Sequence, residues 1–277
     1  MDIAKALSFI DEHGSNLEKA RMKWIVYQAQ PEPAVIRPFV QLQNEDGGYP
    51  CAMTKGNLSS IDNTLVALWW LDEIGMKESS AADKAFGYLL AVQKNDGGWD
   101  EAPSIAQHEL PPWIIPGDLR TKLYLSSYSA YFLAARGYVN RPAFHKALDF
   151  LLKHQDRTGK FYGYLHNTWI ATSVFAMAGD PYAGVVKRGL GFLMDRPLSE
   201  WADSQIAWAL DCLASAGLPK EHAFVERSLA ELIRRQQADG TWISEDGAEH
   251  DVGATIAAVK ALKHYGFQVG LALEFRK

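Results

Sequence analysis

The sequence predicts an all-α fold, an (α/α)6 toroid in which six inner helices alternate with six outer helices. Three observations predict it: a repeated motif, an alternation of apolar and amphipathic segments, and a helix count that closes a ring. The chain has 277 residues, a length that fits one large domain. We therefore predict a single barrel domain spanning residues 1–277.

The repeated motif combines a Lys or Arg, an aromatic residue, a Gln, a Gly and a final aromatic residue at fixed offsets. One copy runs from Lys84 to Trp99 and a second from Lys146 to Phe161, with identical spacing. Partial copies extend the register, with Pro197 in the place of one Gln. Such internal repeats usually mark one supersecondary unit each. The Gln register falls at positions 43, 93, 155, 197 and 236.

Each repeat unit is predicted to form two helices. Its first half is apolar on nearly every side, as in 64–71, which is typical of a buried inner helix. Its second half is amphipathic and is followed by Gly and Asp, which favours an outer helix that ends there. The inner helices are predicted near 17–28, 61–73, 125–136, 167–178, 203–216 and 252–265, and the outer helices near 32–43, 81–93, 142–154, 183–194 and 222–236.

The N-terminal helix, predicted at 2–13, supplies the missing outer helix. Its sequence from Lys5 to Ile10 repeats the start of the outer-helix pattern that runs from Lys146 to Leu151. We expect it to pack beside the last inner helix and to close the ring. An open solenoid would instead need polar caps at both ends.

Composition excludes several function classes. The formal net charge is −5, so binding to phosphate backbones is disfavoured and no nucleic-acid partner is expected. No apolar run approaches the length of a membrane span, and the polar N-terminus does not resemble a signal peptide. Two cysteines cannot build a disulfide framework, so a cytoplasmic protein is expected. The unusual feature is the aromatic content of 12%, with nine Trp.

The motif resembles the QW repeat of squalene–hopene cyclases and related class II terpene cyclases. Similar repeats occur in the β chains of protein prenyltransferases. The resemblance covers nearly the whole chain, and it implies a terpenoid cyclase/protein prenyltransferase-like toroid. It further implies an enzyme, a terpene cyclase of the isomerase or lyase class, that binds an isoprenoid.

A second resemblance concerns the start of an inner helix. The stretch from Ser60 to Thr64 is similar to the Asp-x-Asp-Asp-Thr motif of hopene cyclases, and it retains the middle Asp as Asp62. The resemblance implies a cyclisation initiated by protonation, with Asp62 as the general acid. A supporting His of the family corresponds to Tyr131. We expect Asn63 and Tyr131 to donate hydrogen bonds to Asp62; the alternative is that Asp62 caps its helix.

Aromatic residues on the inner helices are expected to line an axial cavity, because π faces stabilise carbocations. Polar residues near the same mouth would complete the site. The Pro-rich insert of residues 100–122 matches a loop near the cavity entrance of hopene cyclases, and it is expected to form a lid or a strap. The candidate substrate-binding residues are Ser60, Trp70, Tyr128, Trp169, Trp208, His166, Asp203, His250 and Trp113.

No metal and no cofactor is expected. The zinc ligands of the prenyltransferase β chains correspond here to Asp203, Gln205 and Ala254, so two of the three are missing. Mg²⁺ is expected only if the substrate is a diphosphate. The expected partners are an isoprenoid small molecule, a second copy or another subunit that closes the cavity, and a membrane surface from which substrate is obtained.

Two alternatives stay open from the sequence. One is a non-catalytic binding or scaffold toroid. The other is a carbohydrate-active α/α-barrel hydrolase or lyase, because acidic residues cluster at the inner-helix starts and paired carboxylates suit such chemistry. These residues are Asp62, Asp203, Glu249 and Asp251.

Overall fold

The computed structural model describes residues 1–270, and twelve α-helices form nearly all of its regular structure. The predicted all-α fold class is confirmed. The helices predicted as outer carry odd numbers: α1 (Ile3–His13), α3 (Pro33–Val40), α5 (Ser80–Val92), α7 (Pro142–Leu152), α9 (Ala183–Met194) and α11 (Ala223–Arg235). Those predicted as inner carry even numbers: α2 (Asn16–Tyr27), α4 (Ile61–Glu73), α6 (Leu119–Ala135), α8 (Leu165–Ala178), α10 (Asp203–Ser215) and α12 (Asp251–His264).

The connections include one small sheet among the described residues. Strands β1 (Tyr49–Pro50) and β2 (Ser59–Ser60) pair antiparallel, with Tyr49 opposite Ser60. Helix α6 starts at Leu119, six residues before the predicted start. Asp118 caps it by accepting the N–H groups of Arg120 and Thr121, so the end of the insert is helical.

The chain divides into two compact units. One unit combines residues 1–35 with residues 193–270, and the other spans residues 36–192. In the first unit, α12 packs on α10, α1 and α2, which confirms that the N-terminal helix lies beside the last predicted inner helix. In the second unit, α6 packs on α8, α7 and α4. The assignment of residues 1–277 to one barrel domain stays a prediction.

A buried charge cluster joins α10 to α12 in the first unit. One carboxylate oxygen of Asp211 lies 3.0 Å from Lys260 Nζ, and the other lies 3.0 Å from His264 Nδ1. Burial alone would raise the pKa of Asp211, but the neighbouring Lys260 and His264 side chains outweigh it and lower that pKa to about 2. The cluster therefore keeps a charge inside the helix pair without leaving it unpaired.

The glutamine of each repeat ties its own turn to the next outer helix. Gln93 Nε2 donates to the carbonyl of Gly97 (2.9 Å) and to that of Ala143 (2.8 Å), which lies in the first turn of α7. Three other repeat glutamines repeat this pattern toward the carbonyls of residues 81, 185 and 2, namely Gln43, Gln155 and Gln236.

The glycine of each repeat lies against the Lys or Arg that begins the next copy. Gly159 has φ +96°, and a Cβ there would lie 2.0 Å from the carbonyl oxygen of Arg188. Gly97 has φ +93° and meets Lys146 in the same way, at 2.2 Å. Only glycine combines this backbone conformation with so close an approach. The regular spacing of the motif thus reflects a contact between successive copies.

The final aromatic residue of each repeat is fully buried and fixed by the next even-numbered helix. A hydroxyl on that helix accepts the aromatic residue's backbone N–H at 2.8 to 3.2 Å. We call these groups the anchor hydroxyls. The four pairs are Tyr49 with Thr64, Trp99 with Ser126, Phe161 with Thr168 and Trp242 with Thr255.

Candidate active site

Asp62 is the second residue of α4, and it does not cap the helix. Ser60 is the N-cap residue, and its Oγ accepts the N–H of Asn63 (3.2 Å). The alternative reading of Asp62 as the cap is therefore wrong. The Asp62 residue is 6% exposed, and its carboxylate accepts no hydrogen bond from the described part of the chain.

A second buried carboxylate, Glu101, lies beside Asp62. Its Oε1 accepts the hydroxyl of Ser60 (2.7 Å) and the backbone N–H of Asp62 (3.0 Å), and the residue is 3% exposed. Glu101 is not among the residues that the sequence predicts for the site, because the insert is predicted only to form a lid or a strap. The sequence offers one signal: Glu101 follows the repeat residue Trp99 by two positions.

The two carboxyl groups have different environments. Burial, with the neighbouring Glu101 carboxylate as a second cause, raises the pKa of Asp62 to about 7. Burial also raises the pKa of Glu101, but the hydrogen bonds from Asp62 N–H and Ser60 oppose that rise. Donors stabilise the ionised form of Glu101, and Asp62 has none. The proton of the pair therefore resides on Asp62 near neutral pH.

The expected donors to Asp62 lie elsewhere. Asn63 Oδ1 accepts the N–H of Ala52 (3.1 Å), which turns this side chain toward the short turn of residues 51–53. Tyr131 packs against the ring of Tyr128, with 6.3 Å between centroids. Neither donates to Asp62. When α4 and α6 are aligned on their anchor hydroxyls, the residue of α6 that corresponds to Asp62 is Tyr124. Tyr131 lies seven residues beyond Tyr124, which is about 10 Å along the helix axis.

The repeat register places Asp62, Tyr124 and His166 at equivalent positions. Each precedes an anchor hydroxyl by two residues, on α4, α6 and α8 respectively. Two residues turn a helix by about 200°, so these side chains leave the helix on the side opposite the anchored aromatic residues. The sequence alone contained this register, but the hydroxyls that define it were not recognised.

An aromatic cluster surrounds Tyr124. Its ring centroid lies 6.0 Å from that of Tyr128, 6.4 Å from Tyr164 and 6.5 Å from His166. The rings of His166 and Trp169 lie 4.5 Å apart. Three candidate residues, Tyr128, His166 and Trp169, are thus brought together. We call the five residues the Tyr124 cluster.

The insert is tied to this cluster through Trp113. The carbonyl of Trp113 accepts the hydroxyl of Thr121 (2.7 Å) and that of Tyr164 (3.1 Å). Trp113 itself is half-buried, as is the candidate Trp70, whose ring lies 5.6 Å from that of Phe39. The insert therefore packs over the ends of α6 and α8.

The candidates of the other unit have separate environments. Asp203 accepts from Arg235 Nη1 (3.1 Å) and from the N–H of Ile243 (3.0 Å), which commits it to an ion pair. It borders an open pocket of about 480 Å³ that Arg234 and Gln237 also line. His250 is exposed at the start of α12, and Trp208 is half-buried on α10.

Within residues 1–270, no three His, Cys, Asp or Glu side chains converge in a group that could hold a metal ion. None of the helices there has both the length and the apolar character that crossing a bilayer requires. Cys51 and Cys212 are both buried, and neither forms a disulfide.

No protein-family model and no curated protein matches the chain. Solved structures do. A protein from Actinoplanes matches with a TM-score of 0.64 and 14% identity over 96% of this chain and 98% of its own. The type II terpene cyclase MstE from Scytonema, in complex with geranylgeranyl dihydroxybenzoate as substrate, matches with a TM-score of 0.64 and 16% identity over 95% and 96%.

A larger protein also matches. The ent-copalyl diphosphate synthase from Streptomyces platensis has a TM-score of 0.56 and 17% identity, over 96% of this chain and 50% of that one. Likeness at such identities concerns the fold and not the activity. It supports the class II terpene cyclase-like fold in general, and not squalene–hopene cyclase in particular. The chain thus has the all-α fold of the type II terpene cyclases.

Proposed function

We propose that this protein is a class II terpene cyclase-like enzyme that cyclises an isoprenoid after protonating it, with Asp62 as the general acid. The observation that carries the proposal is the state of Asp62, a buried carboxyl group with a raised pKa beside Glu101. A general acid must hold its proton at the working pH, and this one does so up to about pH 7. The likeness to a cyclase with bound substrate supports the same proposal.

The proposed reaction begins when the Asp62 proton moves to one carbon of a double bond. A carbocation forms at the other carbon, and the next double bond attacks it to close a ring. The final cation loses a proton or adds water, and Asp62 then regains a proton. The Tyr124 cluster offers aromatic faces that stabilise such cations. The burial of Asp62 also keeps away water that would quench them.

The substrate is proposed to be an isoprenoid small molecule. No cofactor is proposed, and Mg²⁺ would be needed only for a diphosphate substrate. A second copy or subunit that closes the cavity, a membrane contact and a cytoplasmic location stay predictions. The sugar-cleaving alternative is weakened because Asp203 is paired with Arg235 and Asp251 accepts the N–H of Ser244 (2.7 Å).

Incubation with isoprenoids tests the proposal. The substrates are geranylgeranyl dihydroxybenzoate, geranylgeranyl and farnesyl diphosphate with Mg²⁺, and squalene, with products separated by mass spectrometry. We expect cyclic product from the wild type and a loss of at least about 100-fold in Asp62→Asn, the usual contribution of a general acid. Asp11→Asn, a change on the exposed face of α1, is the matched control and should keep the wild-type rate.

Two results would count against the proposal. Wild-type turnover by Asp62→Asn would remove Asp62 from its role. Tight binding of these isoprenoids without any product from the wild type would favour the non-catalytic binding toroid.

A further inference from the structure

We propose that Glu101 is the positioning residue that keeps the proton on Asp62 before each turnover, by holding a fixed negative charge beside it. Glu101 acts through Asp62 and makes no contact with substrate in this role. The inference rests on the proposed function, because it concerns the acid that starts the reaction.

The backbone before Glu101 is held rigidly. Trp99 is fully buried; its backbone N–H donates to Ser126 Oγ (2.8 Å) and its indole N–H donates to the carbonyl of Leu89 (2.7 Å). Asp100 lies between Trp99 and Glu101 in the sequence. Its side chain accepts the N–H of Gly117 (3.1 Å), which joins the two ends of the insert. These contacts of Trp99 and Asp100 therefore fix the position of the backbone from which the Glu101 side chain extends.

The Glu101 carboxylate is stabilised in its ionised form. One oxygen, Oε1, accepts both the Ser60 hydroxyl (2.7 Å) and the Asp62 N–H (3.0 Å). Both donors belong to the N-terminal end of α4, a helix of 13 residues, where the helix dipole favours negative charge. Hydrogen bonds to a carboxylate are stronger than those to a neutral group. Removing the proton from Glu101 is thus favoured over removing it from Asp62.

Cys51 and Tyr88 interact electrostatically with the Asp62–Glu101 pair. Burial raises the pKa of the Cys51 thiol in the turn of residues 51–53, and the same cause raises the pKa of Tyr88 on α5. Both are therefore neutral at pH 7. Asp72 and Glu73 lie at the far end of α4, about 15 Å away. The cations of α6 are already paired, Arg120 with Asp118 (3.1 Å) and Lys122 with Asp96 (2.6 Å).

The position of Glu101 also explains how this chain differs from the hopene cyclase motif. Ser60 and Asn63 stand where that motif has acidic residues on either side of the acid. Glu101, which is 39 residues after Asp62 in the sequence, places one carboxylate beside Asp62. Ser60 now donates the hydrogen bond that holds this carboxylate.

A titration without substrate tests the role of Glu101. In protein labelled with ¹³C at the aspartate carboxyl carbon, the Asp62 signal is identified by its loss in Asp62→Asn. We expect its midpoint to fall by about one pH unit or more in Glu101→Gln, because a like charge is removed. Glu101→Asp keeps the charge and should recover part of the shift. Asp100→Asn removes the adjacent charge but none of the contacts of Asp62, and should leave the midpoint within a few tenths of a unit.

In Glu101→Gln, the pH above which turnover declines should fall by the same amount as the NMR midpoint of Asp62. An unchanged Asp62 midpoint in folded Glu101→Gln would overturn the inference, even if Asp62→Asn abolishes turnover. Wild-type turnover by Asp62→Asn would instead overturn the proposed function, whatever the titration gives. Circular dichroism verifies folding. If Glu101→Gln does not fold, an Asp62 midpoint in Glu101→Asp that falls below that of the wild type by more than in the Asp100→Asn control supports the inference, because the shorter side chain moves the charge away from Asp62. A midpoint in Glu101→Asp that falls no further than in that control overturns it.

Discussion

At the scale of single residues, the Asp62–Glu101 pair shows what a motif encodes and what it leaves out. The resemblance of residues 60–64 to the hopene cyclase motif at the start of an inner helix points to Asp62. Glu101 was missed, because its contact with Asp62 spans 39 residues and no local pattern marks it. Asn63 and Tyr131 were expected to hold the acid, but local backbone contacts turn Asn63 away and the helix rise displaces Tyr131.

The raised pKa of Asp62 makes the stability of the protein depend on pH. Its pKa is about 7 in the folded state, against an ordinary value of 3.8. Below about pH 4 both states bind the proton, and between pH 4 and 7 only the folded state does. Ionisation of the unfolded chain therefore lowers the free energy of unfolding as pH rises, by up to about 4 kcal/mol at 1.36 kcal/mol per unit.

Urea unfolding of the wild type and of Asp62→Asn at pH 4.5 and pH 7.5 measures this effect. Asparagine does not titrate, so the wild type should lose more stability than the variant between the two pH values. An equal loss in both proteins would mean that the pKa of Asp62 is ordinary in the folded state.

At the scale of helices and turns, the sequence predicted most bounds to within a few residues. The inner and outer helices differ in apolar character, and Gly and Asp mark the ends of the outer ones. The predicted start of α6 lies six residues after the observed one, because the first turns of this helix belong to the polar end of the insert. The role of the repeat glycines was only partly accessible, since their contact is with the backbone of the next copy.

The glycine contacts give a paired prediction. Gly159→Ala would place a Cβ 2.0 Å from the carbonyl of Arg188 at φ +96°, where neither backbone can give way. We expect a loss of at least about 2 kcal/mol, which lowers Tm by about 4 °C or more in a chain of this size. Gly191→Ala lies in α9 with open space around it and should raise stability by up to about 1 kcal/mol.

Thermal unfolding of the two variants tests whether the repeat glycine is a contact point. Equal Tm values for the two alanine variants would contradict the account, because both substitutions add the same methyl group.

At the scale of the whole molecule, fold and function were predictable to different degrees. The fold follows from repeated units, each with the same contacts, and solved structures with 14% to 17% identity share it over about 95% of the chain. Function depends on a few side chains that the repeat does not fix. Of the candidates, His166, Trp169 and Tyr128 come together in one cluster, whereas Asp203 is held by Arg235.

The central claim is that the reaction begins with a proton from Asp62, and solvent isotope incorporation tests it most directly. After exchange into D₂O, the Asp62 carboxyl carries deuterium, and the first step would transfer it to a carbon of the substrate. Mass spectrometry of the cyclic product should show one carbon-bound deuterium that survives return to H₂O, with little product in Asp62→Asn. Cyclic product formed in D₂O without deuterium on carbon would contradict the claim.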